Sequence, residues 1–317
     1  MKKVIILLIV GSFLVLLPFI VRSPYYIHLF IIIGIYSILT MGFLMQLRVG
    51  LISIGVAAFW GIGAYASALL ATRLGLSFWL CLPVAGIVTG VISLGIGSII
   101  VRPAGISFFI MTLALNFILV QVLGTTYVEL FGGWGGISSI PRPSIFILFF
   151  GSLEFVSKTS YYYLMLSLLL LTILVFYSIY HSRIGRTFNT IGESPMLSES
   201  LGINVFRCRL AAFVIANFFS GLAGSFYAHY QGFLVPEAFD FWKSIYVQIY
   251  SIFGGVSYLI WGPIVGSATA VIIPEFLRIT GLLEAIFYGI LILVIVLFLP
   301  AGIVGSLCQA HKKYMSR

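Results

Sequence analysis

The side chains that could carry out ion-coupled chemistry are few in this sequence. Two acids, Glu275 and Glu284, lie close to the ends of long apolar runs. Acids inside membrane-spanning segments mark proton and ion pathways. Glu275 is also one helical turn from Arg278, so a local ion pair is the alternative explanation. An ion-coupled secondary carrier therefore remains one hypothesis, although such a carrier would normally need more acids than these.

Other catalytic and metal-binding patterns are missing from the sequence. No G-x-x-x-x-G-K-[ST] motif occurs, so we expect that the chain does not hydrolyse ATP by itself. The histidines lie near predicted helix ends or outside them, without metal-ligand spacing: His28, His181, His229 and His311. We predict that the chain is not an enzyme and has no cofactor or metal of its own. A membrane scaffold without transport activity is a further alternative.

The rest of the sequence is mostly apolar, so apolar helices must position these few polar side chains. Only 8% of the residues are charged, 61% are hydrophobic, and the mean hydropathy is +1.18. An α-helix needs about 20 apolar residues to cross a bilayer, and this chain contains about ten such runs. Barrel strands would instead alternate polar and apolar residues over about ten positions. We predict an all-α, polytopic membrane protein with about 10 transmembrane helices, forming a single domain over residues 1–317.

The predicted spans follow the apolar runs. They cover residues 4–21, 27–46, 51–72, 78–100, 104–123, 161–180, 210–230, 244–260, 262–279 and 284–300. Residues 145–156 are apolar but too short to cross comfortably, so we predict an interfacial or re-entrant piece there.

Lysine and arginine predict the orientation, because cytoplasmic loops carry an excess of both. Basic residues crowd the polar segment 182–209 and the C-terminal tail. Ten spans then place both termini in the cytoplasm. The formal net charge of +9 lies mostly in loops beside the spans, so we expect lipid rather than nucleic acid as its counterpart.

The segment 182–209 is the most polar part of the chain. Ser194 can cap a short helix that begins at Pro195 and ends at Gly202. Apolar residues such as Met196 and Leu197 would then form a face suited to a groove on another protein. A solvated loop lying on the membrane surface is the alternative.

Motifs in this segment resemble those of a known family. Ser182-x2-Gly185-Arg186, Glu193 and Leu201-Gly202-Ile203-Asn204 are similar to the coupling segment of branched-chain amino acid ABC transporter permeases. Further motifs follow in the order of that family: Gly50-Leu51-Ile52-Ser53-Ile54-Gly55, Gly61-Ile62-Gly63-Ala64-Tyr65, Thr112-Leu113-Ala114, Ser220-Gly221-Leu222-Ala223-Gly224, Gly254-Gly255 and Gly262-Pro263. The resemblance covers about residues 45–300.

The resemblance implies an ABC importer permease in the bacterial cytoplasmic (inner) membrane. Its expected partners are two cytoplasmic ABC ATPase subunits, a second permease subunit that is a diverged companion, and a periplasmic or extracellular solute-binding protein. The ATPases would bind the ATP. The residues implied in ATPase coupling are Arg186, Glu193, Pro195, Leu197, Leu201 and Gly202.

The implied substrate is a small amino acid of the leucine, isoleucine or valine type. A broken helix could aim free N–H groups at its carboxylate. We assign the pathway to Gly50, Ser53, Gly55, Phe59, Tyr65, Thr112, Gly254 and Gly255. Urea, short amides, another small solute of a sister system and a sugar remain alternatives, and the binding protein could hold nearly all the selectivity.

Overall fold

Helices form most of the chain, because apolar segments in lipid must satisfy their own backbone hydrogen bonds. The computed structural model describes residues 17–18, 23–103, 105–147, 151–154, 157–277 and 284–315. The α-helices are α1 (Pro24–Leu47), α2 (Val56–Arg73), α3 (Phe78–Ile100), α4 (Ile106–Thr125), α5 (Val128–Phe131), α6 (Lys158–His181), α7 (Arg183–Glu193), α8 (Pro195–Ser200), α9 (Val205–Gln231), α10 (Phe241–Gly254), α11 (Trp261–Leu277), α12 (Glu284–Phe298) and α13 (Gly302–Met315). Two 3₁₀ turns occupy Gly133–Gly135 and Pro236–Phe239.

Five of the described helices are long and apolar enough to cross a membrane, namely α1, α3, α4, α6 and α9. The all-α, polytopic architecture is therefore confirmed, whereas the count of ten crossings stays a prediction. The predicted first span, 4–21, lies outside the described residues except for positions 17 and 18. The ion pair between Glu275 and Arg278 cannot be placed either, because Arg278 also lies outside them.

Helix α9 lies at the centre of the bundle, between α1, α2 and α3. Glycines bring the helices into backbone contact: a Cβ atom on Gly63 of α2 would collide with the backbone of Gly221 in α9. A Cβ on Gly224 would likewise collide with the carbonyl oxygen of Trp60. In lipid, such van der Waals contact replaces the hydrophobic effect as the force between helices. These small residues therefore pack helices together.

The two ends of the bundle differ in structure. One end carries α7 and α8, which we call the foot (residues 182–204). At the opposite end, which we call the loop end, the chain after α5 folds back onto the end of α9. There the N–H of Ile137 donates to the carbonyl oxygen of Leu234 over 2.9 Å, and that of Ile140 to Gly232 over 3.2 Å.

Residues 144–154 form a short antiparallel hairpin at the loop end. Strand β1 (Ser144–Ile147) pairs with β2 (Gly151–Glu154), with Phe146 opposite Ser152. The sequence predicted an interfacial or re-entrant piece here. Each strand has only four residues, and Ile and Phe favour strands, so the run pairs with itself.

The contact between α2, α3 and α9 gives a first prediction. Gly221→Ala should lower the melting temperature of the detergent-purified chain by several degrees, because the added methyl would collide with Thr89. Overpacking of this kind costs about 1–3 kcal/mol. The matched control is Gly95→Ala, since a Cβ at that exposed helical glycine meets nothing within 4 Å. Equal melting temperatures for the two variants would contradict the close contact.

Candidate functional site

The helical path breaks between α1 and α2, inside the bundle. Helix α1 ends at Leu47 and α2 begins at Val56. Gly50 sits in this gap with a φ of +78°, a conformation that glycine adopts without a steric penalty. The sequence predicted a break at Gly50–Gly55, and the structure confirms it. We call residues 48–55 the helix break.

Side chains bind the backbone N–H groups at the helix break. The N–H of Ile54 donates to Thr112 Oγ1 over 3.0 Å, and the N–H of Gly55 to Ser53 Oγ over 3.2 Å. The N–H of Ala57, in the first turn of α2, donates to Ser244 Oγ over 2.9 Å. This differs from the expectation of free N–H groups: in this conformation, hydroxyl groups already occupy the places that a substrate carboxylate was expected to take.

Two neighbouring helices therefore hold the helix break. Helix α4 contributes Thr112, and α10 contributes Ser244 and also Gln248, whose Nε2 donates to the carbonyl oxygen of Ser53 over 3.2 Å. One turn beyond Thr112 on the same face of α4 lies Asn116, which is fully buried. Neither its Nδ2 nor its Oδ1 has a hydrogen-bond partner among the described residues. Buried polar atoms without partners are rare and call for an explanation.

The two predicted aromatic pathway residues lie in packed surroundings. Phe59 is completely buried, and its ring meets that of Phe213 edge to face with centroids 5.2 Å apart. Tyr65 packs against Phe131 and Phe239, with centroids 6.2 and 6.0 Å away. The hydroxyl of Tyr65 has no hydrogen-bond partner within the described part of the chain. In this conformation both rings are packed among other described side chains and are at most 2% exposed.

At the predicted break, Gly254 and Gly255, the backbones of several segments come into direct contact. Helix α10 ends at Gly254, and Gly255 has a φ of +107°. A Cβ on Gly254 would collide with the carbonyl oxygen of Gly262, and one on Gly302 with the backbone of Gly255. This break thus lets α10, α11 and α13 meet closely.

The foot has the capped helix that the sequence predicted. Ser194 Oγ accepts from the N–H of Leu197, α8 follows, and Gly202 has a φ of +81°. The apolar side chains of Met196, Leu197 and Leu201 are 82%, 62% and 72% exposed. The predicted coupling residues Arg186 and Glu193 are also exposed. The foot therefore presents an uncovered apolar face bordered by charged groups.

The sequence did not predict helix α7, the part of the foot that packs against the bundle. Ser182 caps it by accepting from the N–H of Gly185, and it buries Phe188 and Ile191. The sequence signal that could have predicted this helix was Ser182 as its N-cap, followed by Phe188 and Ile191 at helical spacing. A Cβ on Gly192 would collide with the carbonyl oxygen of Arg48, so α7 lies directly against the start of the helix break.

Two arginines make structural contacts here. Arg48 Nη1 donates to Asn189 Oδ1 of α7 over 2.7 Å, and its Nη2 donates to the carbonyl oxygen of Ser257 over 2.9 Å. Its guanidinium also lies 4.7 Å from the ring centroid of Tyr180. Arg209 Nε donates to the carbonyl oxygen of Val49 over 3.0 Å. One residue, Arg48, thus joins the foot, the helix break and the turn after Gly255.

Comparisons with known proteins find relatives that are all described as transport permeases. Residues 25–299 match the family described as branched-chain amino acid transport system / permease component. The high-affinity branched-chain amino acid transport system permease proteins LivM of Salmonella typhimurium and Escherichia coli are 31% and 32% identical, over 85% of this chain and 67% of each relative. The guanosine ABC transporter permease protein NupQ of Bacillus subtilis is 27% identical over 59% of this chain and 61% of its own length. No solved structure matches the chain significantly.

The hydroxyl groups at the helix break give a second prediction. Thr112→Val should destabilise the chain by about 1–3 kcal/mol, because the buried N–H of Ile54 would lose its acceptor. The matched control is Thr172→Val, since the equally buried hydroxyl of Thr172 donates only to Leu168 within its own helix. Thermal unfolding in detergent measures both variants. The same small loss for both would show that Thr112 does not hold the helix break.

Proposed function

The chain belongs to the family of permease components of branched-chain amino acid transport systems, and from this premise we propose how it works. It is the transmembrane permease subunit of an ABC importer that takes up branched-chain amino acids. The match over residues 25–299, which spans nearly all of the described structure, is the observation that carries the proposal. Two cytoplasmic ATPases supply the energy, a solute-binding protein delivers the substrate, and a second, diverged permease subunit completes the pathway.

The foot is the part that the ATPases engage. Its exposed side chains Met196, Leu197 and Leu201 form an apolar helix face of the kind that fits a groove on a partner. Exposed apolar side chains on a polar segment mark a protein interaction site. The exposed Arg186 and Glu193 provide charges at its border. The proposal puts the foot and both termini on the cytoplasmic side of the inner membrane, in agreement with the basic residues there.

Movement of the foot reaches the pathway through Arg48. A shift of α7 pulls on the hydrogen bond between Asn189 and Arg48, and Arg48 is the first residue of the helix break. Hydroxyl and amide side chains of α4 and α10 hold the helix break, and such side chains can exchange partners without unfolding a helix. Such a segment has the discrete alternative arrangements that coupling between distant sites requires.

The wall around the helix break suits a small solute with both charges of an amino acid. Ser53, Thr112 and Asn116 bring hydroxyl and amide groups together, and the buried amide of Asn116 can both donate and accept hydrogen bonds.

A second candidate is nucleoside import, because the guanosine permease NupQ also matches part of this chain. Urea, short amides and a sugar require the same test, which is a ligand screen on the purified cognate binding protein. Tight binding of leucine, isoleucine or valine is expected, and tight binding of guanosine alone would favour the second candidate.

The proposed energy source has a direct test. The chain is reconstituted in vesicles with its companion permease, the ATPases and the binding protein, and uptake of the bound solute is measured. We expect accumulation only with ATP and not with an ATPase variant that binds ATP without hydrolysing it. Equal uptake with the inactive ATPase would contradict the importer mechanism and favour the ion-coupled carrier.

The apolar face of the foot gives a third prediction. Leu197→Ser with Leu201→Ser should reduce ATPase co-purification about tenfold or more, since removing apolar contacts at an interface costs several kcal/mol. Leu307→Ser is the control, because Leu307 is also an exposed leucine (66%) but lies outside the foot. Normal co-purification of the double variant would remove the foot as the docking site.

The contacts of Arg48 give a fourth prediction. Arg48→Lys should lower the solute transported per ATP hydrolysed by about fivefold, the lower range of coupling between sites, while ATPase binding stays normal. Lysine cannot present the fork of donors that reaches Asn189 and Ser257 together. Arg102→Lys is the control, because Arg102 is exposed and its side-chain hydrogen bond, from Nε to the carbonyl oxygen of Ser98, stays within its own chain segment, while lysine keeps the cation that lies over the ring of Phe206. An unchanged transport ratio for Arg48→Lys would disprove its role in transmission.

A further inference from the structure

A polar cleft opens at the loop end, away from the helix break and the foot. Its volume is about 330 Å³, at the small end of the range for ligand sites. It lies where α1 begins, α6 begins and α9 ends. The described side chains that line it are His28, Arg142, Lys158, Tyr161, Tyr230 and Gln231.

The charge of this cleft is positive. Arg142 and Lys158 are both exposed basic side chains, and no described acid lines the cleft. Glu275 of α11 interacts electrostatically with His28 but does not line the cleft. An anionic group entering the cleft would therefore meet two cations and polar donors, which is the pattern that binds phosphate.

Hydrogen bonds hold the walls of the cleft in place. The hydroxyl of Tyr230 and His28 Nδ1 are 2.6 Å apart. Tyr161 donates to the carbonyl oxygen of His229 over 3.1 Å, and its ring meets that of Tyr230 with centroids 5.2 Å apart. The two tyrosines are therefore fixed before a ligand arrives, so binding needs to order only Arg142 and Lys158.

The position of the cleft, at the end of a helix with an exposed apolar face, favours a lipid as the anion. Helix α6 begins at its edge and is only 28% buried along its apolar length. Leucines on α6 face outward from the bundle: Leu170, Leu171 and Leu174. Acyl chains cover such a face in a membrane, and tyrosines at a helix end belong at the level of the headgroups. Lys158 is the first residue of α6, so a lipid whose chains cover this face would have its headgroup at the level of the cleft.

We propose that this cleft binds the phosphate of an anionic phospholipid, with Arg142 and Lys158 as its charged ligands. The acyl chains lie against the outward face of α6. The site is independent of the transported solute and of the foot. It fastens the loop end, where α1, α6 and α9 meet, to one leaflet of the bilayer.

Native mass spectrometry of the detergent-purified full chain tests the site. The chain is titrated with phosphatidylglycerol and, separately, with phosphatidylcholine. We expect one phosphatidylglycerol to bind with clear preference, and Arg142→Gln with Lys158→Gln to weaken that binding about 25-fold, since each basic residue near anionic lipid contributes about a factor of five. Phosphatidylcholine binding should stay unchanged.

Two control variants distinguish loss of the cleft's own charges from a general loss of positive charge and from misfolding. Arg183→Gln with Arg207→Gln removes the same charge from exposed positions near the foot and should keep the preference. Arg142→Lys with Lys158→Arg keeps the charges and should also keep it, with an unchanged melting temperature.

Three results would overturn the proposal. The first is equal loss of lipid in both charge-removing variants. The second is inorganic phosphate that displaces the bound lipid at a similar concentration, which would make the ligand a free anion. The third is normal lipid binding by Arg142→Gln with Lys158→Gln together with lost capture of the cognate binding protein, which would make an acidic protein surface the occupant.

Discussion

The structure depends on one constraint, which is that the backbone polar groups of the helix break are buried and still need partners. Without water, an unpaired N–H or carbonyl group costs about 1–3 kcal/mol. The chain meets this need with Thr112, Ser53 and Ser244 on the N–H groups and with Arg209 on the carbonyl oxygen of Val49. These bonds are side-chain bonds, so they can be exchanged, whereas the hydrogen bonds inside a helix cannot be lost singly.

The rest of the bundle separates rigid parts from parts that can change. Backbone contacts at glycines, such as Gly63 against Gly221, lock α9 to its neighbours. Close-packed contacts shift between discrete arrangements rather than deforming continuously. The helix break, the turn after Gly255 and the foot lie around this rigid centre, and Arg48 contacts all three. A push on an exposed apolar helix of six residues can thus reach a buried polar site.

The sequence predicted the local features well. Gly50–Gly55 predicted the helix break, and Ser194, Pro195 and Gly202 predicted α8, because caps and glycine conformations are written in neighbouring residues. It did not predict α7, the hairpin at 144–154 or the contacts of Arg48. Helix α7 is short and mostly polar, and it depends on burying Phe188 and Ile191 against distant residues. The bond between Arg48 and Asn189 joins positions 141 residues apart, which no local pattern records. The roles of the coupling and pathway residues stay predictions.

The central claim is that the helix break moves only when partner ATPases drive the foot. The most direct measurement uses the purified chain alone in vesicles, given a pH or sodium gradient and a labelled solute that its binding protein recognises. The account predicts no accumulation above the outside concentration, because the sequence has no G-x-x-x-x-G-K-[ST] motif for ATP hydrolysis and the chain depends on partners for energy. Accumulation driven by either gradient would contradict it, and would transfer the energy coupling to acids such as Glu275.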